Sequence, residues 1–175
     1  MTASLHFDAV PVSPVPDGDY LRVVTDILRG SRRQVLCSLF IVDLDPARDA
    51  ALVVDSVLME LAAAVWRGVD VRLLIGGSRN NHLIEAATLM AHARALELEV
   101  PCRLAAASKE DDTHVKLVVA DDWVLTGSHN WSAALYGDQT QDSVVARSAA
   151  LAASLGHRFE SAWAAAPQGG YDVSL

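Results

Sequence analysis

Cysteine is nearly absent: the 175 residues contain two, Cys37 and Cys102. Each sits in an apolar, strand-like run, and neither has the paired spacing of a zinc site or a disulfide framework, so both are expected as reduced core residues. Basic charge is short as well, with 14 Lys and Arg against 22 Asp and Glu and a formal net charge of −8. That balance argues against the broad basic face of a general nucleic-acid binder, so any phosphate contact has to be local. No run approaches the roughly 20 consecutive apolar residues of a membrane-crossing helix. Residues 1–7 lack the basic and apolar regions of a secretory leader, and a soluble, cytoplasmic chain is the expectation. An internal repeat and a long linker are missing too. Gly76-Gly77-Ser78 follows a strand-like run and offers backbone amides to a phosphate, but without the rest of a phosphate-loop fingerprint it reads as a plain loop.

What is present is an apolar content of 51%, enough for one core in a chain of this length. The segment from Val10 to Pro16 carries three prolines and cannot be helical, so residues 1–16 read as an extended arm or edge strand. Asp17 or Asp19 is placed to cap a helix running through Leu21, Val24, Ile27 and Leu28 and stopping at Gly30. Residues 33–42 form an almost unbroken apolar run, the mark of a central strand buried on both faces. A helix over about 50–66, a strand over 69–75, an amphipathic helix over about 83–98 and a short strand over 100–104 follow. Residues 115–120 and 123–126 form a hairpin around Asp121-Asp122. A short helix at 131–136, a strand at 143–146 and an alanine-rich helix at 149–165 complete an α/β pattern spanning 1–175 as one domain. Trp66 and Trp163 fall on apolar helical faces and are expected in the core, while Trp123 beside the hairpin turn is a candidate contact to a second copy.

Between residues 114 and 130 the chain reads His114-Val-Lys116, then Asp121, then Gly127-Ser128-His129-Asn130. This segment resembles the phospholipase D superfamily signature, H-x-K-x4-D followed by G-S-x-N. A chance match to six such identities is on the order of one in tens of millions per starting position. The likeness extends to the Arg67-Gly68-Val69-Asp70-Val71-Arg72 step into a strand and to the closing Phe159 and Trp163. It implies a mixed sheet with helices on both faces and a metal-independent phosphodiesterase that needs no cofactor. On a strand, His114 and Lys116 project from one face and reach a single phosphate. A neutral His114 imidazole can attack phosphorus to give a phosphohistidine, while Lys116 and Asn130 offset charge on the non-bridging oxygens and Ser128 adds a hydroxyl donor. By the same resemblance, Gly127 belongs to the supporting turn and Asp121 supports the site without touching substrate.

In this family the leaving oxygen is protonated by the histidine of a second motif copy, and this chain has one copy only. Resemblance to the small single-motif bacterial endonucleases implies a homodimer with the site shared across its two-fold axis. Two such imidazoles titrate as a pair and hold one proton near neutrality, which places optimal activity between mildly acidic and neutral pH. Two departures stand out. Five residues, against the usual six, separate Asp121 from Gly127, so Asp121 or Asp122 can fill the aspartate role. Where the family often has a glutamate orienting the histidine, this chain has Gln141 followed by Asp142, and Asp142 is the candidate substitute. His129 and Trp131 are candidates either for the substrate groove or for packing, with packing the commoner fate. His82 reads as loop or helix cap. Asp111, Asp112 and His114 include metal-ligand types, but the lysine in the same site argues against a metal. Nucleic acid is the first substrate expectation, a phospholipid the second, and an inactive dimeric binding module the third.

Overall fold

The computed structural model describes residues 9–47, 50–78, 81–105, 113–136 and 140–167. Strand β1 (Val12–Val15) leads through a 3-10 turn (Asp17–Asp19) into helix α1 (Tyr20–Gly30), then β2 (Gln34–Leu39), α2 (Ala50–Trp66), β3 (Asp70–Ile75), α3 (His82–Glu97) and β4 (Cys102–Leu104). The hairpin β5 (Lys116–Ala120) and β6 (Trp123–Gly127), a second 3-10 turn (Ala133–Tyr136), β7 (Ser143–Arg147) and α4 (Ala149–Ala165) follow. Together they make a seven-stranded mixed sheet in the order β1-β7-β6-β5-β2-β3-β4. β2 runs parallel to β3, and β3 to β4, as helical crossovers require. The remaining pairs are antiparallel.

Side-chain alternation sorts the strands between two layers. Val35, Cys37 and Leu39 of β2, with Val118 and Ala120 of β5, pack under α1, α2 and α3. Leu36, Leu117 and Val119 face the other way, against Phe159 and Ala152 of α4. Helices therefore cover both faces. Cys37 and Cys102 are buried and free, as their apolar settings suggest. The α/β class and the mixed sheet agree with the sequence.

Several local expectations need correction. Neither Asp17 nor Asp19 makes a side-chain cap on α1. Asp19 pairs with Arg22 on the surface, and Asp17 turns inward to accept the Gln141 N–H at 3.0 Å. Asn81 caps α3, with its side chain accepting from Leu83 and Ile84 N–H, so His82 is an exposed first helical residue and not a cap. The central strand ends at Leu39, although Val42 still bridges Trp131. The short helix expected at 131–136 is a 3-10 turn that starts at Ala133. Trp66, expected in the core, is 86% exposed at the end of α2. An apolar helical position near a terminus does not guarantee a neighbour above it. Trp163 is half-buried, stacked on Phe159 with the Arg103 guanidinium over its ring.

The two sheet edges are short. β1 spans four residues and carries Pro14, and β4 spans three. No helix among the described residues is long and apolar enough to cross a membrane.

Candidate active site

The register of β5 against β2 sets the site. Leu39 pairs with Lys116, so the chain leaving β2 at Phe40 runs past the chain entering β5 at His114. The Phe40 ring lies 4.4 Å from the His114 ring, centroid to centroid, tilted by 51°. Lys116 alternates onto the same side of the sheet as Val118 and Ala120. It is only 7% exposed, and burial holds its ammonium below the ordinary lysine range. Its Nζ sits 3.1 Å from His114 Nδ1 and 3.2 Å from Nε2, and 5.0 Å above the Phe40 ring. A cation over an aromatic face gains roughly 0.5–2 kcal/mol, so Phe40 helps keep the charge in place. His114 itself is exposed.

Phe40 is the site residue that sequence reasoning missed. It looks like one more apolar position in a long run, and only the β2–β5 pairing identifies it as the floor of the site.

The second half of the motif arrives from β6. Leu117 pairs with Thr126, which brings Gly127 beside the start of β5. A Cβ on Gly127 would lie 2.2 Å from the Asp142 carbonyl oxygen and 2.5 Å from Ser143 Cα, so only glycine lets β6 and β7 approach this closely. Ser128 fastens the turn: its N–H donates to the Asp142 carbonyl at 2.8 Å, and its hydroxyl accepts the Asp142 N–H at 2.9 Å. The same hydroxyl donates to the Asp142 carbonyl at 3.3 Å. The Trp131 backbone N–H donates to the Ile41 carbonyl at 3.1 Å, which sets the chain after Asn130 beside the segment leaving β2. The Asn130 carboxamide oxygen is buried without a hydrogen-bond partner. Leaving a buried polar atom unpaired costs about 1–3 kcal/mol. Turning the amide over puts its NH2 at the same point.

His129 and Trp131 do not line a groove. Both are fully buried, so the packing alternative holds for each. Asp121 is not with the other motif residues: it follows the last residue of β5, at the opposite end from His114. With φ at 52° in the hairpin turn, its carboxylate accepts the backbone N–H groups of Arg32, Arg33 and Gln34 at 2.8, 2.9 and 3.1 Å. Asp122 instead pairs with the Arg33 side chain at 2.7 Å. The motif aspartate thus clamps the α1–β2 connection to the hairpin, and Asp121, not Asp122, makes the backbone contacts.

Gln141 gives its backbone N–H to Asp17, and the exposed Asp142 meets Ser128 through its backbone. Gly76 and Gly77 donate their N–H groups to the Leu39 and Phe40 carbonyls, so those two amides are spent within the fold and do not cradle a phosphate. Asp111 and Asp112 lie outside the described residues.

Residues 27–163 match the family model described as cardiolipin synthase, PLD-like domain. No curated protein matches the chain significantly in sequence. Among solved structures, a phospholipase D family member, Nuc from Salmonella typhimurium, aligns with a TM-score of 0.72 at 21% identity over 93% of this chain and 99% of that one. NucT from Helicobacter pylori aligns with a TM-score of 0.63 at 15% identity, over 91% of this chain and 99% of that one. Phosphatidylserine synthase from Haemophilus influenzae gives 0.65 at 14% identity, with 85% of this chain covering 36% of that enzyme.

Proposed function

The chain belongs to the phospholipase D-like family of phosphodiesterases, and from that membership we propose that it is a metal-independent nuclease cleaving nucleic-acid phosphodiesters at a site shared by two copies. The observation that carries this is the buried Lys116 ammonium held 3.1 Å from the exposed His114 imidazole over the Phe40 ring. A cation beside a nucleophile, near the Asn130 turn, suits a phosphodiester monoanion and the further negative charge that its non-bridging oxygens gain as the nucleophile attacks. The short chain also spans nearly all of Nuc and NucT, whereas it spans only a third of the lipid synthase. A cytoplasmic location fits the two free buried cysteines.

In the proposed reaction a neutral His114 attacks phosphorus and a P–N bond forms as the P–O bond to the leaving group breaks. His114 of the second copy donates its proton to that leaving oxygen. Water then attacks the phosphohistidine, the second histidine takes the water's proton, and His114 leaves as neutral imidazole. Lys116 and Asn130 hold the non-bridging oxygens throughout. Gly127 and Ser128 keep the Asn130 turn in register with Asp142, and Asp121 holds the hairpin from its far end.

Incubation with plasmid, single-stranded DNA, RNA and phosphatidylcholine vesicles, each with and without a chelator, tests this. Cleavage of a nucleic acid that persists undiminished in chelator is the expected result. Turnover of the lipid alone redirects the site to phospholipids. Turnover of nothing, by a dimeric protein, leaves a binding module.

Support for a second copy comes from the helix layer on the His114 side of the sheet. Leu52, Met59 and Trp66 stand seven residues apart along α2, exposed by 82%, 53% and 86%, and Leu83 and Met90 repeat the spacing on α3. The Asp55–Arg94 ion pair between the two helices closes at 2.7 Å and Glu97 joins it at 3.2 Å, so the charge beside these apolar residues is gathered in one paired cluster. For a chain of net charge −8, an apolar face whose few charges are paired is where two like copies can meet. A stable interface takes about 800 Å² per partner, and an apolar patch of several hundred Å² is already unusual on a monomer. Leu52→Glu with Met59→Glu is expected to halve the solution mass to the 18.7 kDa of one chain and to abolish cleavage while His114 is intact. A fully active monomer would contradict the shared site.

A further inference from the structure

The G-S-x-N turn contains a titratable group that the phosphodiester chemistry leaves unused. His129 sits between Ser128 and Asn130, yet it is 0% exposed. Its ring stacks on Tyr20 at 4.2 Å between centroids and 13° between planes. Nδ1 lies 2.8 Å from the Ser143 hydroxyl, and Nε2 faces Asp17 Oδ1 at 3.3 Å, near enough for electrostatic attraction but outside hydrogen-bond geometry. Burial pushes the imidazole below the ordinary histidine range, with the Asp17 and Asp142 carboxylates pulling the other way. A neutral imidazole has one N–H, and a carboxylate only accepts, so the proton belongs on Nε2 and Nδ1 accepts from the Ser143 hydroxyl.

Three polar groups from three elements therefore meet behind the turn: Asp17 from the 3-10 turn before α1, His129 from the loop after β6, and Ser143 from the first residue of β7. Phenylalanine would stack on Tyr20 as well and would bury no polar atoms, so the polar choice calls for a reason. The adjacent Asn130 supplies one. Its carboxamide oxygen has no partner of its own, so the direction of that amide depends on how firmly the flanking chain is held.

We infer that Asp17, His129 and Ser143 form a buried relay that fixes the direction of the Asn130 carboxamide, which makes His129 a positioning residue for the phosphate pocket. In its kinetic readout the relay rests on the phosphodiesterase reading; in its structural readout it does not.

His129→Phe keeps the stacking and removes both polar contacts, while His129→Gln keeps one donor and one acceptor. The measurements are kcat and KM on bis(4-nitrophenyl) phosphate, and the Asn130 side-chain amide resonances in 1H–15N spectra with and without inorganic phosphate. His129→Phe is expected to lower kcat about tenfold to a hundredfold with KM within about threefold, and His129→Gln to recover most of that loss. The Asn130 amide pair, single and sharp in the parent, should broaden or split in His129→Phe and sharpen again in His129→Gln. Unchanged kcat and unchanged Asn130 resonances in His129→Phe overturn the relay, and so does a glutamine variant as impaired as the phenylalanine one. Should His129→Phe fail to fold, Ser143→Ala removes one end of the relay and is read in the same two ways. If the parent cleaves no phosphodiester, the proposed function fails alone, and the amide spectra still decide the relay.

Discussion

His114→Asn is expected to lower phosphodiester cleavage by about 10⁶-fold, the scale of losing a catalytic nucleophile. Asparagine keeps a polar group of similar reach but does not form the P–N bond. Because His114 is exposed, the variant should unfold within about 0.5 kcal/mol of the parent, so the loss belongs to chemistry and not to folding. Mixing supplies a sharper test. If each dimer has one site built from both imidazoles, equal amounts of parent and variant, after random subunit exchange, leave about one quarter of the parent activity. Chains acting alone leave one half. Rates measured after exchange therefore separate a shared site from two independent ones.

Asp121→Ala should be among the most destabilising single changes, at about 2–4 kcal/mol, since it strips the acceptor from three backbone N–H groups and the ion pair to Arg33. It also leaves a residue with a Cβ at φ 52° without the local hydrogen bonding that lets aspartate tolerate that region. Thermal or denaturant unfolding measures the cost. Burial raises the Asp121 carboxyl, but the N–H groups of Gln34, Arg32 and Arg33 and the Arg33 charge outweigh it, so its folded pKa lies below the unfolded one. Its contribution is accordingly complete above the unfolded value of about 3.9 and is lost as pH falls through the folded value. The gap between parent and variant should therefore narrow in acid, below about pH 4. In the cold, where the variant stays folded, its kcat should match the parent. A large fall in kcat there would return Asp121 to the catalytic machinery.

The alternation of apolar runs and helical spacing made the α/β sheet legible, because buried strands and amphipathic helices leave different periodicities in a chain. The motif was legible for another reason: His114, Lys116, Gly127, Ser128 and Asn130 are close in sequence, joined by one hairpin. What escaped was set by pairing between distant segments. Phe40 becomes part of the site only through β2 lying beside β5. The clamp role of Asp121 depends on Arg32–Gln34, nearly 90 residues earlier in the chain. Asp17 looks like a helix cap from its position, yet the Gln141 N–H engages its carboxylate, and a local signal does not reveal a partner 124 residues away. Trp66 erred in the opposite direction, since the end of an apolar stripe says nothing about what lies above it.

Both margins of the sheet are poor templates for adding another strand. One is a four-residue segment with a proline, which lacks an amide hydrogen, and the other is three residues long. Copies of this chain consequently have little means of joining edge to edge into a continuous ribbon, so fibre-like stacking is discouraged even at high concentration. The proposed pairing of copies uses the helical side instead, where an isologous contact would close on itself and stop at a defined number of subunits.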